Sequence, residues 1–307
     1  MARTSRIIVG ALAALALGGA AAAQDDDPTT VSEVTVTART ADAVKQFVEG
    51  MSEPTSRGAE LLARWNRTIC PATVGLPERQ GAFINDTIAR TALQLKLKVA
   101  EPGCRPDVLI VVTPDAAALT EALATTYKAS FKVDADSDAD VSSPGRDAYE
   151  AFLNSTRPVR WWHVSELASS EGRPVRYANM IAGRPVGGVM IVESSSVSRL
   201  RSPVRQDFAH ILIVVDAEQA QGLSFDSLAG YLTMVTLAQV NPEADLTGLP
   251  TILNLFEDRA AGRPVPNGLT DWDLDYLKGL YLQRGDAPDL SRQQGRIKRE
   301  MREGQED

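Results

Sequence analysis

The chain has 307 residues, 40 acidic side chains against 32 basic ones, and a formal charge of -8. An acidic surface repels phosphate backbones, which argues against nucleic acid as a partner. The length allows one large domain or two small ones with a real core.

The N-terminus has three parts. Arg3 and Arg6 supply a positive start, Ile7 to Ala20 is an uncharged apolar run, and Ala21-Ala22-Ala23 offers a small-residue cleavage pattern before the polar Gln24-Asp25-Asp26-Asp27. Together they predict a cleavable signal peptide over residues 1–23 and a protein exported to the periplasm or secreted outside the cell. A permanent N-terminal anchor is the competing reading, although the run is short for a bilayer. No cysteine follows the run to carry a lipid. No later stretch nears the roughly 18 apolar residues that a span requires, so the mature chain is expected to hold no transmembrane segment.

Residues 24–56 are rich in Thr, Ser, Asp and Glu and read as a flexible polar linker. Within them, Val31-Ser-Glu-Val-Thr-Val-Thr-Ala38 resembles the short box that TonB-dependent outer-membrane receptors present to their energising partner. The same residues also read as an alternating strand. The resemblance implies an accessory role in outer-membrane transport, since the chain is too short for a receptor barrel.

A single domain is expected over residues 57–285. Glu60 to Arg67 is predicted as a short helix leading to Cys70-Pro71. Pro77 to Leu97 reads as a long amphipathic helix, with Phe83, Ile84, Ile88, Ala92 and Leu95 on one face and Pro77 in its first turn. Asp107 to Thr113 is a continuous apolar run between Pro106 and Pro114, as in a buried strand. Cys70 and Cys104 form an even pair in an exported chain and read as a disulfide. The loop of about 35 residues that it closes corresponds to roughly 4 kcal/mol in the chain-entropy account. Two free thiols or a redox pair is the alternative, but no C-x-x-C spacing supports the latter.

Ala116 to Lys128 is a second helix. Lys132 to Arg146 is a loop with Asp134, Asp136, Asp138 and Asp140 alternating. Measured from Asp134, an EF-hand would need glycine at Ala139 and a bidentate glutamate at Gly145, so the calcium pattern fails and a solvated acidic loop is expected. Arg157 to Val164 and Gly188 to Glu193 read as strands, separated by a polar hairpin or loop over Ser165 to Arg184. Phe208 to Asp216 is another buried strand. Ser224 caps a helix from Phe225 to Val240, and Asn241-Pro242 ends it. Leu249 to Phe256 is a turn or short helix. Thr270 and Asp273 resemble a capping box opening a helix that ends near Leu282. Asp271, Asp273 and Asp275 then complement that helix's dipole and do not read as a metal site. Residues 286–307 read as a charged, disordered tail.

The C-terminal third resembles the zincin metalloproteases, and their matrixin-like branch in particular. In that family a strand precedes a helix bearing H-E-x-x-H-x-x-G-x-x-H. A methionine-containing turn and a helix of pattern L-[ST]-x-x-D-x-x-x-[IL]-x-x-L-Y follow. Here Pro250-Thr251-Ile252-Leu253-Asn254 resembles the family's P-S-I-M-N turn, with Leu253 at the methionine, and Leu269 to Tyr281 resembles the closing helix. Pro77 to Thr113 is similar to the front half of the fold. The resemblance implies an α+β, α/β-rich architecture: a zincin-like mixed sheet with a long upstream helix, a buried central helix and a C-terminal helix. An unrelated α/β domain with the same rhythm is the alternative.

The metal motif itself is degenerate. Alignment puts Tyr231, Leu232 and Val235 at the first histidine, the glutamate and the second histidine, with Ala238 at the glycine and Asn241 at the third ligand. Tyr, Leu and Val supply neither that ligand set nor a general base. Leu228 to Val240 carries no charge at all, as befits a buried helix. No metal, cofactor or catalytic residue is therefore assigned.

Other chemistry finds little support. A two-histidine site on His163 and His210, with Glu166 or Asp216, lacks helical i, i+4 spacing, and packed or surface histidines are the simpler reading. Ser194-Ser195-Ser196 follows a strand without a G-x-S-x-G elbow. Gly187-Gly188 lacks phosphate-loop spacing. Three functions follow: a noncatalytic zincin-like module binding a protein or peptide, through a cleft or an edge strand at Gly188 to Glu193; a hydrolase with an unrecognised site; or an accessory to TonB-dependent transport.

Overall fold

The computed structural model describes residues 39–53, 61–133, 141–181, 183–193 and 201–304. The TonB-box-like segment 31–38, the aspartate run and the triple serine at 194–196 lie outside the described residues.

The first element, α1 (Ala41–Met51), falls inside the stretch expected to be a linker. Thr40 caps it by accepting from the Ala43 N–H, and Val44, Phe47, Val48 and Met51 form one buried stripe. Phe47 meets Trp272 and Tyr276 edge-on at 5.7 and 5.9 Å. The polar composition of residues 24–56 concealed an i, i+3, i+4, i+7 pattern within it, so residues 39–53 belong to the body.

Leu61 to Arg67, expected to be helical, is extended instead. The Arg64 N–H donates to the Gln206 carbonyl at 3.1 Å, and the Phe208 N–H donates to the Arg64 carbonyl at 3.0 Å. Leu61, Leu62, Ala63 and Trp65 are buried along this run. Backbone pairing with a neighbouring strand outweighs local helix propensity here.

The sheet elements follow in chain order with their helices. They are β1 (Pro71–Val74), α2 (Glu78–Gln94), β2 (Val108–Thr113), α3 (Ala116–Thr126), β3 (Val141–Ser142), α4 (Arg146–Leu153), β4 (Val159–Ser169), β5 (Arg176–Ile181), β6 (Arg184–Ile191) and β7 (Val204–Asp216). Five strands form a mixed sheet in the order β1-β2-β7-β4-β3; β1, β2 and β7 run parallel, and β4 is antiparallel to β7. The β4 strand extends five residues beyond the expected Val164, through a bulge between Val164 and Ser165. β5 and β6 form a separate antiparallel pair. The Gly188 to Glu193 stretch therefore contributes to that hairpin and is not an edge of the five-stranded sheet.

Both faces of the main sheet are covered. On one side Ile84, Ile88 and Ala92 of α2 join Val108, Ile110, Ile211, Ile213 and Trp161 in the principal core. On the other, Trp162 and Val164 pack with Phe131 and Phe152. The alternation along β4 is the period of two that a strand imposes. Cys70 and Cys104 are bonded to each other, Cα to Cα 6.1 Å. The bond joins the residue before β1 to the loop leading to β2.

After β7 come α5 (Ala217–Ala220), α6 (Phe225–Leu237), α7 (Leu255–Ala260), α8 (Asp271–Tyr281) and α9 (Leu290–Glu303). Ser224 caps α6 through the Ser227 N–H, and every residue from Ser227 to Leu237 is buried. A methyl at Gly230 would sit 2.8 Å from the backbone of Gly268 and Leu269, so a side chain there would collide with the passing loop. Thr270 and Asp273 complete a reciprocal capping box on α8. The segment expected to be a disordered tail is instead largely α9, capped by Asp289, with Ile297 and Met301 fully buried. Two apolar residues four apart hold it, although its surroundings in sequence are charged. The fold is α+β, as expected. Among the described residues no helix is long and apolar enough to cross a membrane.

Candidate functional site

A cavity of about 210 Å³ opens beside α6, between the N-terminal end of β4 and the loop after α6. Its wall is built from local rules. Tyr231 comes from α6 and Trp161 from β4, with ring centroids 6.3 Å apart; Phe256 meets Tyr231 edge-on at 5.2 Å. The Trp161 Nε1–H donates to the Val240 carbonyl at 3.0 Å, which fixes the indole against the end of the helix.

The loop that follows is held by short-range bonds. The Asn241 N–H donates to the Met51 carbonyl at 2.8 Å, and its Oδ1 accepts from the Glu243 N–H at 2.9 Å. Asp245 Oδ1 accepts from the Thr247 N–H at 3.1 Å, and this bond holds its carboxyl below the usual range. These are side-chain turns of the kind Asn and Asp favour. Asn254 donates to the Leu246 and Leu249 carbonyls at 2.7 and 2.8 Å, closing the loop onto the 3-10 turn Ile252–Asn254. That turn is tied to α8 by Asp273. This buried carboxylate accepts from the Thr251 hydroxyl at 2.5 Å, the Ile252 N–H at 2.9 Å and the Thr270 N–H at 2.9 Å. Burial pushes the Asp273 carboxyl upward, and its donors pull the other way.

Charges stand at the rim. Arg157 and Glu243 pair at 3.2 Å; Asp245 and Glu257 also line the cavity. Burial raises the Tyr231 phenol above its ordinary range, and the Glu257 charge adds to that. Nearby, Glu53 is lifted to about 7 by burial and then by the Glu243 charge.

The structure brings two of the four degenerate motif positions together. Tyr231 and Asn241 share the cavity with Leu253, the residue aligned with the methionine of the turn. Leu232 and Val235 are fully buried core residues and do not line it. The residues present do not fit zinc: Leu232 and Val235 offer no side-chain donor, and the Asn241 oxygen is engaged by its own turn. Among the described residues no group of three or more His, Cys, Asp or Glu could hold a metal ion.

The histidine candidates are dispersed. His163 Nε2–H donates to the Val235 carbonyl at 2.9 Å, its Nδ1 has no partner, and burial lowers its pKa to about 4. It is a neutral core residue stacked near Phe208. His210 Nε2–H donates to the Ser130 carbonyl at 2.8 Å. Asp216 caps α5, and Glu166 pairs with Arg67 at 3.5 Å. The pocket residues Arg157, Trp161, Glu243, Asp245 and Glu257 escaped sequence reasoning. The only local signal was the run of Asx turns after Asn241-Pro242. The chain matches no protein-family model, no curated protein and no solved structure.

Proposed function

We propose that this chain is an exported, noncatalytic zincin-like domain that binds a protein or peptide segment in the cavity beside α6. The observation that carries the reading is the meeting of Tyr231, Asn241 and Leu253 in one cavity. They come from a helix, the loop after it and a turn, and they are the residues that align with the first ligand, the third ligand and the turn methionine of the zincin pattern. Supporting it, a strand feeds the buried α6, and a 3-10 turn is linked through Asp273 to a capped α8. That is the order the resemblance implies.

The test uses the mature protein. N-terminal sequencing of the exported chain is expected to begin at Gln24. Elemental analysis is expected to find no stoichiometric zinc, and a chelator is expected to leave peptide substrates as uncut as before. Bound zinc together with chelator-sensitive cleavage would overturn the proposal.

A further inference from the structure

Tyr231 is only 6 % exposed and lines the cavity, and its hydroxyl, which has no hydrogen-bond partner within the protein among the described residues, is not sealed in the core but open to the cavity. A hydroxyl at a cavity wall with no protein partner keeps its donor and both lone pairs for water or a ligand. By contrast, the Tyr281 hydroxyl donates to the Leu237 carbonyl at 2.6 Å and accepts from the Trp65 N–H at 3.2 Å. The charges acting on the Tyr231 phenol, Glu257 and Arg157, line the same cavity, so its polar end points where a ligand would sit.

The surroundings specify the ligand's chemistry. Trp161 and Tyr231 are aromatic wall residues, and aromatic faces attract cations. The rim carries three carboxylates against one guanidinium. Arg157 is already paired with Glu243, while Glu257 makes no ion pair among the described residues. The surplus is negative. Size narrows the choice further, because about 210 Å³ is less than the roughly 300–1,000 Å³ of pockets enclosing whole small ligands. It suits one side chain of a longer molecule.

We propose that the cavity receives an alkylammonium or guanidinium group, the end of a lysine or arginine side chain on an extended peptide. The cationic head donates to the Tyr231 phenol oxygen, lies against Trp161 and is balanced by Glu257 and Asp245. This rests on the reading of the cavity as a peptide site.

Calorimetry on the mature protein at low salt would compare three probes: a capped Ala-Ala-Lys-Ala-Ala peptide, the same peptide with norleucine for lysine, and n-butylammonium chloride. The lysine peptide is expected to bind at least about tenfold more tightly than the norleucine peptide. Tyr231→Phe should cut that preference by about tenfold, the scale of one hydrogen bond to a charged group, while melting no lower than wild type. Glu257→Gln should cut it a few fold, as for an exposed charge. Equal binding of lysine and norleucine peptides overturns the cation assignment and leaves the peptide reading intact. Butylammonium binding as tightly as the lysine peptide supports the cation site but removes the peptide. No binding of any probe overturns both.

Discussion

Tyr231, on α6, and Tyr281, whose ring reaches the end of α6, are both buried tyrosines, but they differ in what their hydroxyls do. Tyr231→Phe removes a hydroxyl that faces the cavity and bonds no protein atom, so its stability in urea should equal wild type within about 0.5 kcal/mol. Tyr281→Phe strands the Leu237 carbonyl and the Trp65 N–H, and should cost about 1–3 kcal/mol. Glu53 sets a pH dependence. Its carboxyl holds a proton to about 7 in the fold, against an ordinary value of 4.5. Between those values the native state binds more protons than the unfolded chain, so this group's contribution to stability falls as pH rises from about 4.5 to about 7. At about 1.4 kcal/mol per unit the loss totals roughly 3 kcal/mol. Denaturant titrations of Glu53→Gln should lack that slope and show a more stable protein at pH 8. Single residues with local partners were legible in sequence, as Ser224 at the start of α6 and the Thr270–Asp273 box show. Nothing near Glu53 in sequence announces its burial, which comes from a chain segment almost two hundred residues away.

Among elements, α1 and α9 were the least legible, and for one reason. Each carries a narrow apolar stripe inside a polar or charged stretch, and composition averaged over a window dilutes it. Their burial against α8 is nonetheless tight. A methyl at Gly279 would lie 2.7 Å from the Ile297 Cα, so Gly279→Ala should push α9 away. The expected cost is about 1–3 kcal/mol, together with faster proteolysis near Glu303. Phe47→Ala opens a void beside Trp272 and Tyr276 and should cost about 3–5 kcal/mol; a melting curve checks it. The N-terminal segment is tied to the same helix by Arg39, which pairs with Asp275 and donates to the Met301 carbonyl at 2.9 Å. Long amphipathic or wholly apolar elements, α2, β2, β7 and α6, were legible because their patterns are long enough to outweigh their neighbours.

At the scale of the molecule, the Cys70–Cys104 bond closes 34 residues of sequence spanning β1 and α2. Replacing both cysteines by alanine should lower stability by about 2–4 kcal/mol, read as a fall in Tm that a reductant reproduces in wild type. Sequence alone determined the α+β class, the cysteine pairing and the buried character of α6. All three depend on residue chemistry or on periodicity within one segment. Tertiary structure decided the rest: that β4 runs antiparallel between β7 and β3, that α1 and α9 close over α8, and that Arg157, Trp161, Tyr231 and Glu257 share one cavity. Those outcomes depend on contacts between residues about 20 to 260 positions apart, where chain order sets no distance and only the packing of the whole core selects the neighbour.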